Sequence, residues 1–419
     1  MQRLLFAMML GAFLGHAARA QTALSWQQVR ERFEATNPTL KANQLNIDES
    51  RAAEITAYLR PNPTFTITAD GFQLNPSPVW RPFSGVYQSP GISYLHERQH
   101  KRELRLDGAK ESTEIARSTY LDQERGLIFN LRSAFIQTLQ AKAVLQNARE
   151  NLAYWDRELG VSRQRYQAGD LAQVDLDRLE LQRVQFESDY ETALVNLRTA
   201  KIQLLTLLND HQTPVEGFDI TGPFDYSNEL RPLEEYRNTA LEAREDLKAA
   251  AQNVELAKIN HSLAIANGST DPTFSMWYSH NPSFSNAAAN NTIGGSISIP
   301  LRIFDRNQGE KARTQIDIGR NERLRDANEA QVFGDVDSAY YTLVENLNLL
   351  RPYKTKYLEL AMDTRDKVSF SYQNGGASLL DYLDAEKAYR DVRLAYLNLI
   401  GSYLTAAAQM NMAVGREVI

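Results

Sequence analysis

Tyr372-Gln373-Asn374-Gly375-Gly376-Ala377-Ser378-Leu379-Leu380-Asp381-Tyr382-Leu383-Asp384-Ala385 decides how this chain is read, because an earlier stretch answers to it. Arg165-Tyr166-Gln167-Ala168-Gly169-Asp170 recurs about 205 residues later as Ser371-Tyr372-Gln373-Asn374-Gly375-Gly376. Downstream, Val174-Asp175, Glu180 and Tyr190 recur as Leu380-Asp381, Glu386 and Tyr396. Working outward, Leu131-Arg132-Ser133-Ala134-Phe135 matches Val336-Asp337-Ser338-Ala339-Tyr340, and Leu40-Lys41-Ala42 matches Leu247-Lys248-Ala249. Pro63-Thr64-Phe65 likewise matches Pro272-Thr273-Phe274. Two copies are too few for a solenoid, so they imply a pseudo-symmetric body of two similar halves.

Between these landmarks the apolar residues beat at seven. Leu121, Ile128 and Phe135 form one stripe, and Leu131, Leu145, Leu152 and Leu159 another, with no proline from Arg102 to Gln167. From Gln173 to Leu208 the stripes are Leu176, Tyr190, Leu197, Leu204 and Leu179, Phe186, Ala200, Leu207. The second half repeats the pattern in Val336, Leu343, Leu350, Tyr357 and in Tyr382, Tyr389, Tyr396, Tyr403, Met410. A sustained heptad means long helices packed as coiled coils. Pro352 is expected to kink the third of them. A helix of ~60 residues reaches roughly 90–100 Å and a partner of ~37 only about 55 Å. Shorter helices from about Asp48 to Leu59 and from about Glu245 to Ala264 would fill much of that difference. Each half is then one long antiparallel hairpin turning at Gly169-Asp170 or Gly375-Gly376.

Elsewhere the beat changes to two. Phe65, Ile67 and Ala69 alternate with threonines, and Ile293, Gly295, Ile297 and Ile299 with Thr292, Gly294, Ser296 and Ser298. Phe274, Met276 and Tyr278 mark a third strand and Ile92 and Tyr94 a weaker fourth, with loops at Asn75 to Gly85 and Asn281 to Asn291. Runs of about 9–11 residues suit transmembrane β-strands. Four strands cannot close a barrel, and lipid does not tolerate an open edge, so the chain must oligomerise. Two copies give eight strands around a filled interior, whereas three give twelve around a lumen. A conduit favours the trimer.

Met1 to Ala20 reads as a secretory signal, with Arg3, an apolar run from Leu4 to Leu14, and Ala18-Arg19-Ala20 before the cut. The boundaries that follow are 1–20 for the signal, 21–208 for the first repeat, 209–232 for an equatorial linker and 233–419 for the second repeat. No cysteine is present, which excludes disulfides and thiolate chemistry. A net charge of −6 argues against a nucleic-acid partner. His96-Glu97-Arg98-Gln99-His100 spells the zinc-protease motif, but it opens a long straight helix, so Glu111 and Glu114 run away from it. With no phosphate loop, G-x-S-x-G or paired-carboxylate constellation, neither an enzyme nor a cofactor is expected.

The order helix, two strands, long helix, turn, helix, given twice behind a signal, resembles the TolC-like outer-membrane factors. Tyr372 to Ala385 resembles that family's Y-x-x-G-x-x-x-x-x-D-x-L-D tip motif, and Ser298 to Gly309 the strand-to-helix segment of its heavy-metal-cation branch. The resemblance implies a mainly α chain with a small transmembrane β part. Three such chains would form a 12-helix periplasmic tunnel and a 12-strand barrel in the outer membrane. It also implies a passive duct for metal cations or small toxic compounds, docked on a periplasmic adaptor and an inner-membrane pump of the RND type. By position, Asp381 and Asp384 fall on the family's gate aspartates, with Asp175 and Tyr372 on a network between hairpins. Gly169, Asp170, Gly375 and Gly376 form the adaptor-facing tips. A network arginine of the family falls at Ala377, so that latch is absent or built differently. Six carboxylates from three chains would attract cations and raise some of their own pKa values. Ser378-x-x-Asp381 also reads as a capping box, and the two roles can coexist. A soluble periplasmic coiled-coil scaffold would share the signal and the heptads but not the alternating strands.

Overall fold

In the computed structural model, which describes residues 23–72, 74, 85–227, 229–282 and 290–419, the heptad stretches are long helices. The expected signal, 1–20, lies outside the described residues, as do most of the two strand-joining loops. Helix α1 (Trp26–Thr36) starts from Ser25, whose hydroxyl and the Gln28 side chain form a reciprocal capping box. Helix α2 (Pro38–Tyr58) follows at once. It is longer than the expected Asp48–Leu59 because Pro38 suits a first helical turn and the Asn37 side-chain oxygen Oδ1 accepts from the Leu40 N–H at 3.0 Å. Strands β1 (Thr64–Asp70) and β2 (Tyr87–Leu95) come next, then α3 (Lys101–Gln167) and α4 (Gln173–Leu207). The second half runs α5 (Leu233–Ala243), α6 (Glu245–Asn267), β3 (Thr273–His280), β4 (Asn291–Ser298), α7 (Gln308–Pro352), α8 (Leu358–Gln373) and α9 (Leu379–Val414). Among the described residues no helix is long and apolar enough to cross a membrane.

At Pro352, where a kink is expected, the helix takes a π turn, Tyr353–Tyr357, and continues as α8. Proline lacks the N–H that the α ladder needs, and the Leu358 N–H reaches back five residues to the Tyr353 carbonyl. A π turn also takes in one additional residue. Leu131 and Val336 are 205 positions apart, whereas Tyr166 and Tyr372 are 206 apart, so the second copy carries that residue across this turn. Tyr357 continues the beat of Leu343 and Leu350 in sequence. Those two are buried and Tyr357 is exposed, as expected if the turn rotates the register.

The residues divide into two compact units, each drawing on both halves of the chain. One comprises the described residues up to Lys41, with Gln123–Ala243 and Val332–Ile419. Its core is the heptad set: Leu131, Phe135, Leu204, Val336, Leu343, Tyr403 and Met410 are buried. The stretch expected as a linker, 209–232, is fastened here. Leu24 and Ile220 form a parallel bridge, and the Lys142 ammonium donates to Asp219 at 2.7 Å and to the Ile220 carbonyl at 3.0 Å. Asp210 accepts from the Thr213 hydroxyl at 2.5 Å, from the Thr213 and Gln212 N–H groups at 3.0 Å, and from Arg32. The Thr213 hydroxyl first, against the cost of burial, brings the Asp210 pKa down to about 2.

The other unit comprises Ala42–Asp122 and Arg244–Gln331. Its sheet has the order β1-β2-β3-β4, antiparallel throughout. β2 has the expected length at 9 residues, whereas β1, β3 and β4 are shorter than 9–11, at 7, 8 and 8. Prolines explain part of this. Pro63 and Pro272 stand just before β1 and β3, and Pro300 lies just beyond β4, where none can donate to a ladder.

The Asp210 carboxylate sets a pH-dependent contribution. Its folded pKa lies below the unfolded value, so its stabilisation is complete above the unfolded value of 3.8 and is lost as pH falls through about 2. Asp210→Asn should cost about 2 kcal/mol near neutral pH. Thermal melting of the detergent-solubilised protein between neutral pH and pH about 3 checks this, and the variant should lose part of the acid-side drop.

Candidate functional site

The sheet has two chemically distinct faces, fixed by register. Phe65 pairs with Ile92, Ile92 with Met276, and Tyr94 with Phe274, which pairs in turn with Ile297. Because side chains alternate along a strand, these residues share one face with Ile67, Pro90, Tyr278 and Ile293. Phe65, Ile67, Met276, Ile293 and Ile297 are all exposed on the single chain. The opposite face carries Thr64, Thr66, Thr68, Ser89, Ser93, Ser275, Ser279, Thr292, Ser296 and Ser298. Tyr87, Leu95 and Trp277 are its large side chains, and Trp277 lies over Gly294, where an added Cβ would meet the indole at 2.6 Å.

In the first unit, the hairpin tips are built twice to one plan. At the first tip, the Asp170 N–H donates to the Arg165 carbonyl at 2.8 Å and the Gly169 N–H to Tyr166 at 3.0 Å. At the second, Gly376 donates to Ser371 at 2.8 Å and Gly375 to Tyr372 at 3.1 Å. This is the Schellman closure, and it needs a left-handed residue that glycine supplies, with φ of 85° at Gly169 and 76° at Gly375. The helix that follows restarts differently in the two copies. Ala172 offers no side-chain cap to α4, whereas Ser378 and Asp381 cap α9 reciprocally.

Beside the tips, aromatic rings tie the helices together. Tyr372 stacks on Tyr382 at 5.0 Å and 6°, Tyr382 on Trp155 at 6.1 Å and 10°, and Trp155 leans on Phe186 at 5.0 Å. The Trp155 indole donates to the Leu179 carbonyl at 3.1 Å. The Tyr372 hydroxyl is buried with no partner among the described residues.

Each sequence-derived site residue now has a place. Asp381 is exposed and accepts from the Ser378 hydroxyl at 2.7 Å and from its N–H at 3.1 Å. The hydroxyl bond, then the backbone bond, hold its pKa below the usual carboxylate range. Asp384 is exposed one turn on, where the first copy has Arg178. Asp175 is half-buried, 3.7 Å from Arg178, and acts electrostatically on Tyr372 without a hydrogen bond to it. The Arg165 guanidinium lies over the Tyr372 ring at 5.4 Å. The histidine motif, by contrast, does not open the helix as expected. Helix α3 starts at Lys101, and Gln99 and His100 are left-handed, with φ of 59° and 56°, so the two histidines are not one helical turn apart. Glu97 is taken up by Arg105 at 2.5 and 2.8 Å. Among the described residues no group of three His, Asp or Glu is placed to hold a metal ion.

A family model described as "Outer membrane efflux protein" matches residues 29–210 and 236–416. The chain belongs to the outer membrane efflux protein family. It is 24% identical over 327 residues to the cobalt-zinc-cadmium resistance protein CzcC of Cupriavidus metallidurans, covering 75% of this chain and 74% of that one. It is 22% identical over 420 residues to outer membrane protein TolC of Vibrio cholerae, covering 98% and 95%. Its fold matches the solved structure of CusC with a TM-score of 0.76 at 17% identity, covering 93% of this chain and 92% of that one. The chain is thus an outer-membrane efflux channel protein, mainly helical with one small sheet, in a family of channels and not of enzymes. The soluble-scaffold alternative falls with that membership.

The structure of this efflux protein adds one residue that sequence reading passed over. Glu386 was visible only as the counterpart of Glu180, and the two differ. Glu180 is exposed and holds Arg163 at 2.9 and 3.1 Å. Glu386 is buried, accepting from the Tyr154 hydroxyl at 3.1 Å. Arg365, Glu158 and Asp366 also act on it electrostatically, and it acts in turn on Tyr382. Burial, against the Tyr154 bond, pushes its pKa up to about 7.

That carboxyl therefore takes up a proton on folding at pH values between about 4.5 and 7. Stability from this group is highest below 4.5 and declines as pH rises through 7. Glu386→Gln should stabilise the protein at pH about 8, by on the order of 3 kcal/mol. It should also remove part of the rise in melting temperature that the parent protein shows on acidification from pH about 8 to 5, measured in detergent.

Proposed function

We propose that the protein is the exit duct of a tripartite efflux system, a homotrimer whose sheets close a 12-strand barrel in the outer membrane and whose helices form a 12-helix periplasmic tunnel. The two-faced, open-edged sheet carries this reading. In the order β1-β2-β3-β4, β1 and β4 each leave one edge unpaired, beside a face of exposed Phe65, Ile67, Ile293 and Ile297. Lipid accepts that apolar face but not those edges, which must pair with the edges of further copies. Three copies leave a lumen lined by the serine and threonine face, whereas two would leave an interior just wide enough for side chains.

The passive duct would dock through Gly169-Asp170 and Gly375-Gly376 on a periplasmic adaptor and draw its energy from an inner-membrane pump of the RND type. The gate would be the ring formed by Asp381 and Asp384 of three chains, with Asp175 and Tyr372 linking neighbouring hairpins. The unpartnered Tyr372 hydroxyl supports that link, since a buried polar group left unpaired is costly. A ring of carboxylates attracts cations and resists anions. Together with the similarity to a cobalt-zinc-cadmium resistance protein, this supports metal cations as cargo, with small toxic compounds the other class.

Asp381→Asn with Asp384→Asn keeps the amide oxygen for the cap while removing charge. In planar bilayers the double variant should lose most of the cation-over-anion selectivity of the parent channel and its block by multivalent cations. Unchanged selectivity and block would place the constriction elsewhere.

A further inference from the structure

The second unit carries a basic cleft that the duct reading does not use. A cavity of about 410 Å³ is lined by Arg60, Arg98, Lys101, Arg102, His96 and His100. Two carboxylates share it, and both are engaged. Glu97 is held by Arg105 at 2.5 and 2.8 Å, and Glu103 by Arg102 at 2.9 Å. The Lys101 ammonium is bound to Asp271 at 2.6 Å and to the Ser269 carbonyl at 3.2 Å. Arg60 and Arg98 are exposed and, among the described residues, form no ion pair. The lining keeps a positive surplus centred on these two guanidinium groups.

The cleft lies at one end of the sheet. Leu95, one residue before His96, pairs with Thr273, which pairs with Ser298, and Thr64, close after Arg60, pairs with Ser93. At that same end the chain leaves β4 through Ile299, Leu301, Ile303 and Phe304, which are 54%, 79%, 62% and 91% exposed, with Arg302 among them. Tyrosines sit between the charged and apolar parts. Tyr94 lines the cleft, and the Arg102 guanidinium lies over the Tyr58 ring at 4.3 Å. Basic groups, tyrosines and an apolar run at the ends of lipid-facing strands match the chemistry of a headgroup layer.

We propose that this cleft binds the phosphate of an anionic phospholipid headgroup, in the leaflet that meets the helix-side end of the barrel. Arg60 and Arg98 would grip the phosphate oxygens, for which planar guanidinium groups are suited. The run from Ile299 to Phe304 would enter the acyl boundary beside it. The inference rests on the barrel reading, because the lipid is available only if this end of the sheet meets a leaflet.

The full-length protein reconstituted in phosphatidylethanolamine nanodiscs, with and without phosphatidylglycerol, tests it, with retained lipid counted by native mass spectrometry. The parent oligomer should retain phosphatidylglycerol several-fold over phosphatidylethanolamine, and rising NaCl should erode that preference. Arg60→Gln with Arg98→Gln should lower it on the order of fivefold per arginine, and the corresponding lysine pair should recover most of it. If the double variant does not assemble, Arg98→Gln alone and the salt series on the parent protein decide. Equal retention by the glutamine variant, or a preference indifferent to salt, overturns the inference and leaves the duct intact. Displacement of the lipid by inorganic phosphate overturns it in favour of a free-anion site. Loss of the oligomer with unchanged retention per chain overturns it in favour of a second copy. A parent protein that does not insert as an oligomer removes the barrel reading and this inference together.

Discussion

The outer edges of β1 and β4 are the constraint on which the rest of this structure depends. A helix satisfies its own N–H and C=O groups, so α3 to α9 need neighbours only for their apolar stripes. A strand cannot do this, and in hydrocarbon each unpaired backbone group costs several kcal/mol. The sheet lowers the number of such groups by joining the two halves of the chain, with β2 paired to β3 from Leu95↔Thr273 to Gln88↔His280. Two edges remain among the described residues, and in the proposed barrel they are met by the edges of further chains.

Against that shared plan, the differences between the two copies stand out, and they gather in the second hairpin. Both tips close with the same pair of backbone bonds around a left-handed glycine. The second then gains a side-chain cap at Ser378, an acid at Asp384 where the first has Arg178, and a buried carboxyl at Glu386 where the first has an exposed one. It also carries the additional residue absorbed at Tyr353–Tyr357. The divergence puts the acid Asp384 where the first hairpin has the base Arg178, and draws the Glu386 carboxyl into the interior.

The helices, their heptad cores and the period-two strands were legible because burial writes itself into spacing: Leu131, Val336 and Met410 are buried where the beat puts them. Glycine at the tips was legible for a similar reason, since one backbone geometry demands it. The form of the Pro352 disturbance was not. A proline announces a defect in the ladder but not how the next turn repairs it, and only comparing the 205 and 206 spacings reveals the added residue. Helices α1 and α5 were missed because 11 residues show barely three turns of periodicity. Glu386 was hidden most completely. It is the same letter as Glu180, and what sets it apart, Tyr154 and Arg365, comes from two other helices.

The capping of Asp381 has a consequence for any ring it joins. Its Oδ2 takes both Ser378 bonds, and these favour the charged form irrespective of what faces it across an axis. The two acids of the motif are therefore not equivalent: the Asp381 carboxylate is tied into the start of α9 by the Ser378 hydroxyl and N–H, whereas Asp384, one turn on, lies outside that box and stands where the first copy has Arg178. Any axis these hairpins surround is thus approached by one acid fixed by its own helix start and one on a plain exposed turn.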